Sequence, residues 1–183
     1  MNETLKTIAG RYSCRDYSGA PLTDEQINAL VGAALASPSA MNFQPWHVIV
    51  VTDKKLIDEL DADGMGILAA EEDKSTYERF MSWGGKLFYN APCMIVAASD
   101  GSGCAGGDCC ILSQNVSLAA YSLGLGSVIC GMAGVPLNGP RGAEWKERLK
   151  FPEGYGFGMA VLVGSAKTVK APHQPDMGKV TVL

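Results

Sequence analysis

The sequence lacks the features of a membrane or exported protein. No stretch approaches the roughly 18 uninterrupted apolar residues that a membrane-spanning helix needs. The first residues, Met1-Asn2-Glu3-Thr4, are polar and do not resemble the apolar segment of a signal peptide. The six cysteines are spread through a core-forming chain, unlike the disulfide framework of a small secreted domain. We therefore expect a soluble, cytoplasmic protein with reduced thiols.

Positive charge is also scarce. The chain has 15 Lys and Arg against 19 Asp and Glu, so its formal net charge is -4. A protein that binds the phosphate backbone of nucleic acid needs a basic face. Nucleic-acid binding is therefore not expected, and any basic cluster must serve a local site.

Histidine is nearly absent, which narrows the possible catalysis. The two histidines are His47, inside an apolar run, and His173, near the C-terminus. A nucleophilic cysteine such as Cys14 or Cys130 needs a neighbouring base. Covalent catalysis is therefore not favoured, and no catalytic side chain is named.

Recognisable metal and dinucleotide motifs are missing as well. The Cys104-x4-Cys109-Cys110 spacing matches no standard zinc or iron–sulfur pattern. We interpret Cys109 and Cys110 as small apolar fillers rather than metal ligands. Gly124-x-Gly126 lacks the third glycine of a Rossmann fingerprint and is typical of a helix C-cap.

The chain does contain enough apolar residues to form the core of one domain. Its 183 residues are 47% hydrophobic and show no internal repeat. Periodicity and capping signals predict helices and strands in alternation. The predicted helices span 3–10 (with Leu5 and Ile8 inward), 24–36 (capped by Thr23 and Gln26), 54–61 (capped by Asp53), 108–123 (capped by Asp108) and a segment opened by Pro140. The predicted strands span 46–52 (largely buried), 92–99, 127–132 and 157–164.

Arg11, Ser13 and Arg15 alternate along an extended segment and therefore fall on one face. Two guanidinium groups and a hydroxyl aimed the same way suit a phosphate, because each arginine can donate two charge-assisted bonds. The alternative is a solvated pair of arginines that bind the neighbouring Asp16. The spacing alone leaves both interpretations open.

The loop Ser37–Trp46 is unusually rich in polar groups for a connection between a helix and a strand. It combines two prolines, two hydroxyls and two carboxamides in ten residues, so a rigid backbone offers donors and acceptors to a flat polar ligand. Small polar loops also often satisfy only their own backbone. The loop is therefore either a binding loop or a plain connection.

Two further segments have no assigned role. The stretch 63–90 carries weak helical signals at 67–70 and 77–83 and occupies the place of a variable lid. Within it, Trp83 either covers a ligand or belongs to the core. The tail Ser165–Leu183 ends in the β-prone Val180-Thr181-Val182-Leu183, and we expect it to pair with the sheet edge of a second subunit.

Four motifs together resemble the FMN-dependent nitroreductase family over nearly the whole chain. They are Arg11-x-Ser13-x-Arg15; Pro38-Ser39-Ala40-x-Asn42-x-Gln44-Pro45-Trp46; Asp108 with Gln114-Asn115, Leu118-Ala119-Ala120 and Gly124-Leu125-Gly126; and Ile129-Cys130-Gly131. In the family tail a Lys and an Arg usually contact the phosphate. Here the corresponding stretch is Lys170-Ala171-Pro172-His173.

The resemblance implies an α+β fold, with a mostly antiparallel sheet flanked by helices, in an intertwined homodimer. Residues 1–164 would form one FMN-binding domain, and residues 165–183 an arm that docks on the partner. Each FMN would contact the N-terminal arginines of one subunit and the 38–44 loop of the other. The implied cofactor-binding residues are Arg11, Tyr12, Ser13, Arg15, Pro38, Ser39, Ala40, Asn42, Gln44, Ile129, Cys130, Gly131, Lys170 and His173, with no metal.

The resemblance also implies an enzyme. NADH or NADPH would reduce the flavin, and a nitroaromatic, a quinone or a similar acceptor would then reoxidise it in a ping-pong sequence. The alternatives on the same scaffold are a specialised dehalogenase-like or flavin-modifying enzyme, and an FMN-binding redox module without turnover. A thiol or metal protein built on the cysteines is a third alternative.

Overall fold

Eleven helices and strands make up the fold in the computed structural model, which describes residues 1–183. In chain order they are α1 (Glu3–Gly10), α2 (Asp24–Leu35), β1 (Trp46–Val51), α3 (Lys54–Ala70), α4 (Ser75–Ser82), β2 (Cys93–Ser99), α5 (Ala105–Ser122), β3 (Gly126–Ile129), α6 (Gly134–Leu137), α7 (Gly142–Arg148) and β4 (Gly156–Gly164). Short 3₁₀ turns cover Ala40–Asn42, Gly131–Ala133 and Met177–Lys179.

The four strands form one antiparallel sheet in the order β1-β2-β4-β3. All seven residues of β2 are buried, as expected for an apolar strand covered on both faces. The segment that follows α1 covers the outer edge of β3, where Cys14 N–H donates to Ser127 O at 2.9 Å. The outer edge of β1 has no strand beside it. The predicted α+β class is confirmed.

Helices cover both faces of the sheet and create two apolar clusters. On one face, Leu30 of α2 and Leu112 of α5 pack against sheet residues such as Ile95. On the other face, residues of α3, α4, α6 and α7 pack against the opposite side of the same strands, with Met94 and Leu162 among them. The sheet is therefore the middle of three layers, and its rim is where loops from both faces meet.

Helix α2 begins as its sequence predicts. Thr23 accepts the Gln26 N–H through its hydroxyl at 3.2 Å, and the Gln26 side chain accepts the Thr23 N–H at 2.9 Å. This capping box satisfies two backbone donors that a helix start otherwise leaves free. Because α2 then ends just before Pro38, the start of the 37–46 loop is fixed.

Two predicted helix boundaries are wrong. Helix α3 continues from Asp61 to Ala70, since the Asp61 carboxylate is satisfied by backbone N–H groups of Leu87 and Phe88 and Gly64 lies in close contact with Leu87. Helix α5 starts at Ala105, and Asp108 lies in its first turn rather than at the cap. Its carboxylate instead accepts the Ala40 N–H.

Three predictions of burial or extent also need correction. Leu5 and Ile8 of α1, expected to face inward, are 52% and 48% exposed. Strand β1 is only partly buried, because it is the open edge of the sheet. The third strand stops at Ile129, where the chain turns into a 3₁₀ turn instead of continuing to Met132.

Helix α7 is fixed to α3 through Trp145, which is 1% exposed. Its indole Nε1–H donates to Asp63 Oδ2 at 2.7 Å. The guanidinium carbons of Arg141 and Arg148 lie 5.1 and 4.5 Å from the ring centroid. A buried donor, its acceptor and two cations thus lock the two helices together.

The C-terminal tail leaves the sheet and stays on the surface. Its first residues bond to the N-terminal segment, through Lys167 N–H to Asp16 O at 3.0 Å and Tyr12 O–H to Thr168 O at 3.2 Å. Residues 174–183 are exposed, and Val180–Leu183 pairs with no strand. None of the helices combines the length and apolar character that crossing a lipid bilayer requires.

Candidate functional site

The N-terminal arginines lie on an extended segment that the edge of β3 holds in place. Ser13 pairs in parallel with Ser127, and Cys14 between the arginines is 1% exposed. Arg11 Nη1 is buried and has no hydrogen-bond partner. The arginine ion pairs of the chain belong to Arg141 and Arg148, so neither N-terminal arginine is paired with Asp16. The alternative of a solvated pair that binds Asp16 is therefore not observed.

Arg15 lies at the junction of two adjoining cavities, which we call the Arg15 cleft. One has a volume of about 450 Å³ and is lined by Arg15, Trp83, Tyr89 and Lys170. The other has a volume of about 330 Å³, and its wall combines residues of α4, the end of β3 and the turn after it. The cleft thus gathers Arg15, Ile129, Cys130, Gly131 and Lys170 from the predicted set.

The lining of the Arg15 cleft is cationic and aromatic. Arg15, Arg79 and Lys170 supply positive charge, and no carboxylate lines either cavity. Trp83 is 54% exposed and stacks edge-on against Phe80 with centroids 5.6 Å apart, so it forms part of the cleft wall rather than the core. An anionic group attached to a flat ring system suits such a lining.

Cys130 closes the inner end of the cleft as a neutral thiol. Its side chain is 5% exposed, and burial raises the pKa of the thiol to about 11. Its backbone N–H donates to Ala160 O at 2.7 Å. A protonated, buried thiol is a poor nucleophile, which agrees with a wall residue rather than a reactive one.

Tyr89, Arg79 and Phe80 are cleft residues that the sequence analysis missed. The segment 63–90 was expected to contain a lid, and α4 does supply the outer wall, but no motif pointed to these three side chains. The available signal for Tyr89 is its place directly before a buried strand, since strand ends lie at the rim of a sheet.

The 37–44 loop has a strained and well-anchored backbone. Met41, Asn42 and Gln44 have φ values of 49°, 57° and 50°, a region that non-glycine residues seldom occupy. Ser39 Oγ accepts the Gln44 N–H at 2.8 Å, and the Gln44 amide donates to Asn42 Oδ1 at 3.2 Å. From α5, Asn115 Nδ2 donates to Ser37 Oγ at 2.9 Å. Strain of this kind clusters at binding sites.

Other predicted site residues do not reach the Arg15 cleft within one chain. Neither of its cavities is lined by Arg11, Ser13, Pro38, Ser39, Ala40, Asn42 or Gln44. Tyr12 faces a separate cavity of about 210 Å³ beside Tyr121 and Val169. His173 is exposed on the tail. No group of three or more His, Cys, Asp or Glu side chains is arranged to hold a metal ion.

Comparison with known proteins identifies the family. The model of the Nitroreductase family matches residues 8–165. The chain belongs to this family. A relative from Archaeoglobus fulgidus bears the name NADH dehydrogenase/NAD(P)H nitroreductase. It is 32% identical, and the match covers 96% of this chain and 92% of the relative's length. An FMN reductase [NAD(P)H] from Bacillus subtilis is 29% identical over 96% of this chain and 72% of its own.

Solved nitroreductase structures share the complete fold. A nitroreductase with bound FMN from Desulfitobacterium hafniense is 50% identical, and the match covers 100% of this chain and 99% of that one with a TM-score of 0.97. A second FMN-bound nitroreductase, from Bacteroides fragilis, is 27% identical over 100% of both chains with a TM-score of 0.91. The family and fold indicated by the sequence motifs are thus confirmed.

Proposed function

We propose that this protein is an FMN-dependent oxidoreductase that uses NADH or NADPH to reduce nitroaromatics, quinones or similar acceptors. The observation that carries the proposal is the Arg15 cleft. It joins unpaired cations to aromatic walls in a chain that is 50% identical to a nitroreductase solved with FMN. A relative that matches 96% of this chain, over 72% of its own length, is named an FMN reductase [NAD(P)H].

The residues present fit FMN. Arg11 Nη1 is a buried donor without a partner, and Arg15 and Lys170 are cations without a carboxylate beside them in the cleft. A phosphate satisfies such donors through charge-assisted hydrogen bonds. We therefore infer that Arg11, Ser13, Arg15 and Lys170 bind the phosphate and ribityl chain, and that residues 129–131 lie against the ring.

The protein's part in the reaction is to bind, orient and exclude water. When bound, FMN supplies the redox chemistry, by accepting a hydride from NADH or NADPH and passing electrons to the acceptor. The cleft contains no histidine or carboxylate that could act as an acid or base at neutral pH. We infer a ping-pong order because one open cleft must serve both the nicotinamide and the acceptor.

We further propose that the protein acts as a homodimer. The 37–44 loop is strained and its residues 41–44 are exposed, yet it lies outside the cleft of its own chain, which suits a loop that serves the cleft of a second copy. Leu5 and Ile8 of α1 and Leu35 of α2 are about half exposed, on two helices that each pack against α5, and burial against a second copy would cover them. The open edge of β1 and the tail 165–183 offer a second contact, in which the tail of one copy adds a strand to the other.

Anaerobic spectroscopy tests the proposal. The purified protein should be yellow, should bleach when NADH or NADPH is added without oxygen, and should recolour when a nitroaromatic is added. A colourless protein that binds no added FMN would refute the flavin site. A yellow protein that neither nucleotide bleaches would instead be a flavin-binding redox module.

A further inference from the structure

Helix α4, together with the residue that ends it, turns one face toward the Arg15 cleft. The cleft residues of this face are three or four positions apart, which is the spacing that places side chains on one side of a helix. They are Thr76, Arg79, Phe80 and Trp83. The same cavity is also lined by the stretch from Val128 to Met132. It is therefore bounded by a helix face and by the turn that we infer to lie against the flavin ring.

The aromatic residues of the α4 face form a surface on which a flat ligand can stack. Phe80 is 5% exposed and belongs to the core, so it anchors the helix. Trp83 packs edge-on against Phe80 and is itself 54% exposed. It lines both cavities of the cleft. A half-exposed indole that is held by a buried ring offers aromatic contact without first having to be ordered.

Arg79 is the charged residue of the α4 face. Its side chain is exposed and forms no ion pair within the chain. It lies four positions before Trp83, so the guanidinium and the indole share one side of the helix. No Asp or Glu lines the cavity, whereas Arg15 adds a second positive charge. The α4 face thus combines a stacking surface with a cation, in a cavity of positive potential.

The acceptor is the ligand that this face is available to meet. Arg79 and Trp83 are not among the residues that we infer to hold FMN. If residues 129–131 lie against the ring, the α4 face is wall that the ring leaves free. Because one open cleft must serve both the nicotinamide and the acceptor, the acceptor enters beside this face.

We propose that Arg79 and Trp83 select acceptors whose reducible aromatic ring carries a carboxylate. Trp83 stacks on the acceptor ring, and Arg79 pairs with its carboxylate. The proposal rests on the proposed function and names a substrate class for the same site. Neither residue takes part in the transfer of electrons, so the selection acts through acceptor binding and is measured as a ratio of kcat/KM values.

The FMN-loaded enzyme tests this with three nitroarenes that differ in charge: para-nitrobenzoate, neutral para-nitrobenzyl alcohol and cationic para-nitrobenzylamine. For each variant, kcat/KM with the anion is divided by kcat/KM with the neutral compound, so differences in intrinsic reactivity cancel between variants. Arg79→Gln should lower this ratio by about three- to fivefold, which is the upper range for one exposed ion pair, and should favour the cation. Arg79→Lys keeps the charge and should lower the ratio less. Trp83→Leu should slow all three reactions alike and leave the ratio unchanged.

A charge control separates Arg79 from the overall charge of the protein. Lys55→Gln removes one positive charge from an exposed site of α3 outside the cleft, and should leave the ratio unchanged. Added salt should lower the ratio more in the unchanged protein than in Arg79→Gln.

The remaining outcomes would overturn the acceptor role. An Arg79→Gln enzyme with the ratio of the unchanged protein would do so directly. Loss of FMN from this variant would assign Arg79 to the cofactor. A changed preference between NADPH and NADH with an unchanged acceptor ratio would assign it to the nucleotide. A protein that binds no FMN, or whose flavin neither nucleotide reduces, would instead refute the proposed function.

Discussion

Arg11 and Arg15 differ in how the chain leaves them available for a ligand. The Arg11 guanidinium has a buried nitrogen without a hydrogen-bond partner, whereas Arg15 is exposed in the cleft. A buried donor without a partner costs free energy, so Arg11 is the residue whose environment improves most when an anion binds. Arg15 is already exposed to water, so it contributes mainly electrostatic attraction for the anion.

The first prediction for a single residue concerns Arg15→Ala. Each charge-assisted contact contributes about 1.5–3 kcal/mol, so FMN should bind roughly 10- to 150-fold more weakly. The free energy of unfolding should change little, because Arg15 is exposed and forms no ion pair. Flavin titration and urea denaturation measure the two quantities. Lys55→Ala, at an exposed lysine of α3, is the control, and an unchanged Kd for Arg15→Ala would contradict the phosphate role.

A second prediction concerns the buried indole of Trp145. Asp63→Ala removes the acceptor of its Nε1–H and leaves that donor buried and unpaired. The free energy of unfolding should fall by about 1–3 kcal/mol, as urea denaturation measures. Glu147→Ala removes an exposed carboxylate of α7 that has no ion pair and should have almost no effect. Equal stability of the two variants would show that the indole finds another partner.

Strand β4 contains a glycine, Gly158, that is required by close packing and not by a positive φ. A Cβ on Gly158 would lie 2.8 Å from the Ala97 carbonyl oxygen and 2.7 Å from Cys109 Sγ. The strand and α5 therefore approach more closely than any side chain permits. The β-bulge between Ala97 and Ala98 lies at the same place.

We expect Gly158→Ala to lower stability by about 1–3 kcal/mol, because over-packing forces the strand and helix apart. Gly156→Ala in the same strand is the matched control, since nothing lies within 4 Å of its added methyl group. Thermal unfolding of the two variants gives the comparison. A similar Tm for both would mean that α5 shifts without cost.

The elements that could be predicted are those whose signals are local. Thr23 and Gln26 mark the start of α2 in the sequence, and the apolar run 93–99 marks the central strand. The errors at the boundaries of α3 and α5 arose where a polar residue is satisfied from a distance. Asp61 looks like a helix end but receives two N–H groups from residues 87 and 88, and Asp108 looks like a cap but receives Ala40 N–H.

The candidate site likewise contains residues that the sequence could assign and residues that it could not. Arg15 and residues 129–131 could be assigned from motifs, and the structure brings them into one cleft. Tyr89 could not be found, because its contact with Arg15 depends on the turn that begins at Leu87. That turn is held by the Asp61 carboxylate, 28 positions earlier than Tyr89 in the chain. The cofactor roles of all these residues remain predictions, and one chain does not bring Arg11, Tyr12, Ser13, the 38–44 loop or His173 to the cleft.

For the whole molecule, the prediction is that flavin binding and dimerisation are coupled. A chain ending at Val169 lacks Lys170 and the exposed tail, and should sediment as a monomer and lose most of its FMN affinity. The chain with Lys170→Ala keeps the tail and is the control, which should remain a dimer with only weaker FMN binding. Sedimentation velocity and flavin titration separate the two effects. A truncated dimer that retains FMN would contradict the coupling.

The open edge of β1 has a consequence for how the protein is made. The strand Trp46–Val51 reads WHVIVV and presents unpaired backbone groups along its outer side. Such an edge is a template for uncontrolled strand addition and aggregation. In the proposed homodimer, a newly synthesised chain must therefore find its partner before it meets another unassembled edge, so expression level and synthesis rate should decide how much protein reaches the soluble fraction.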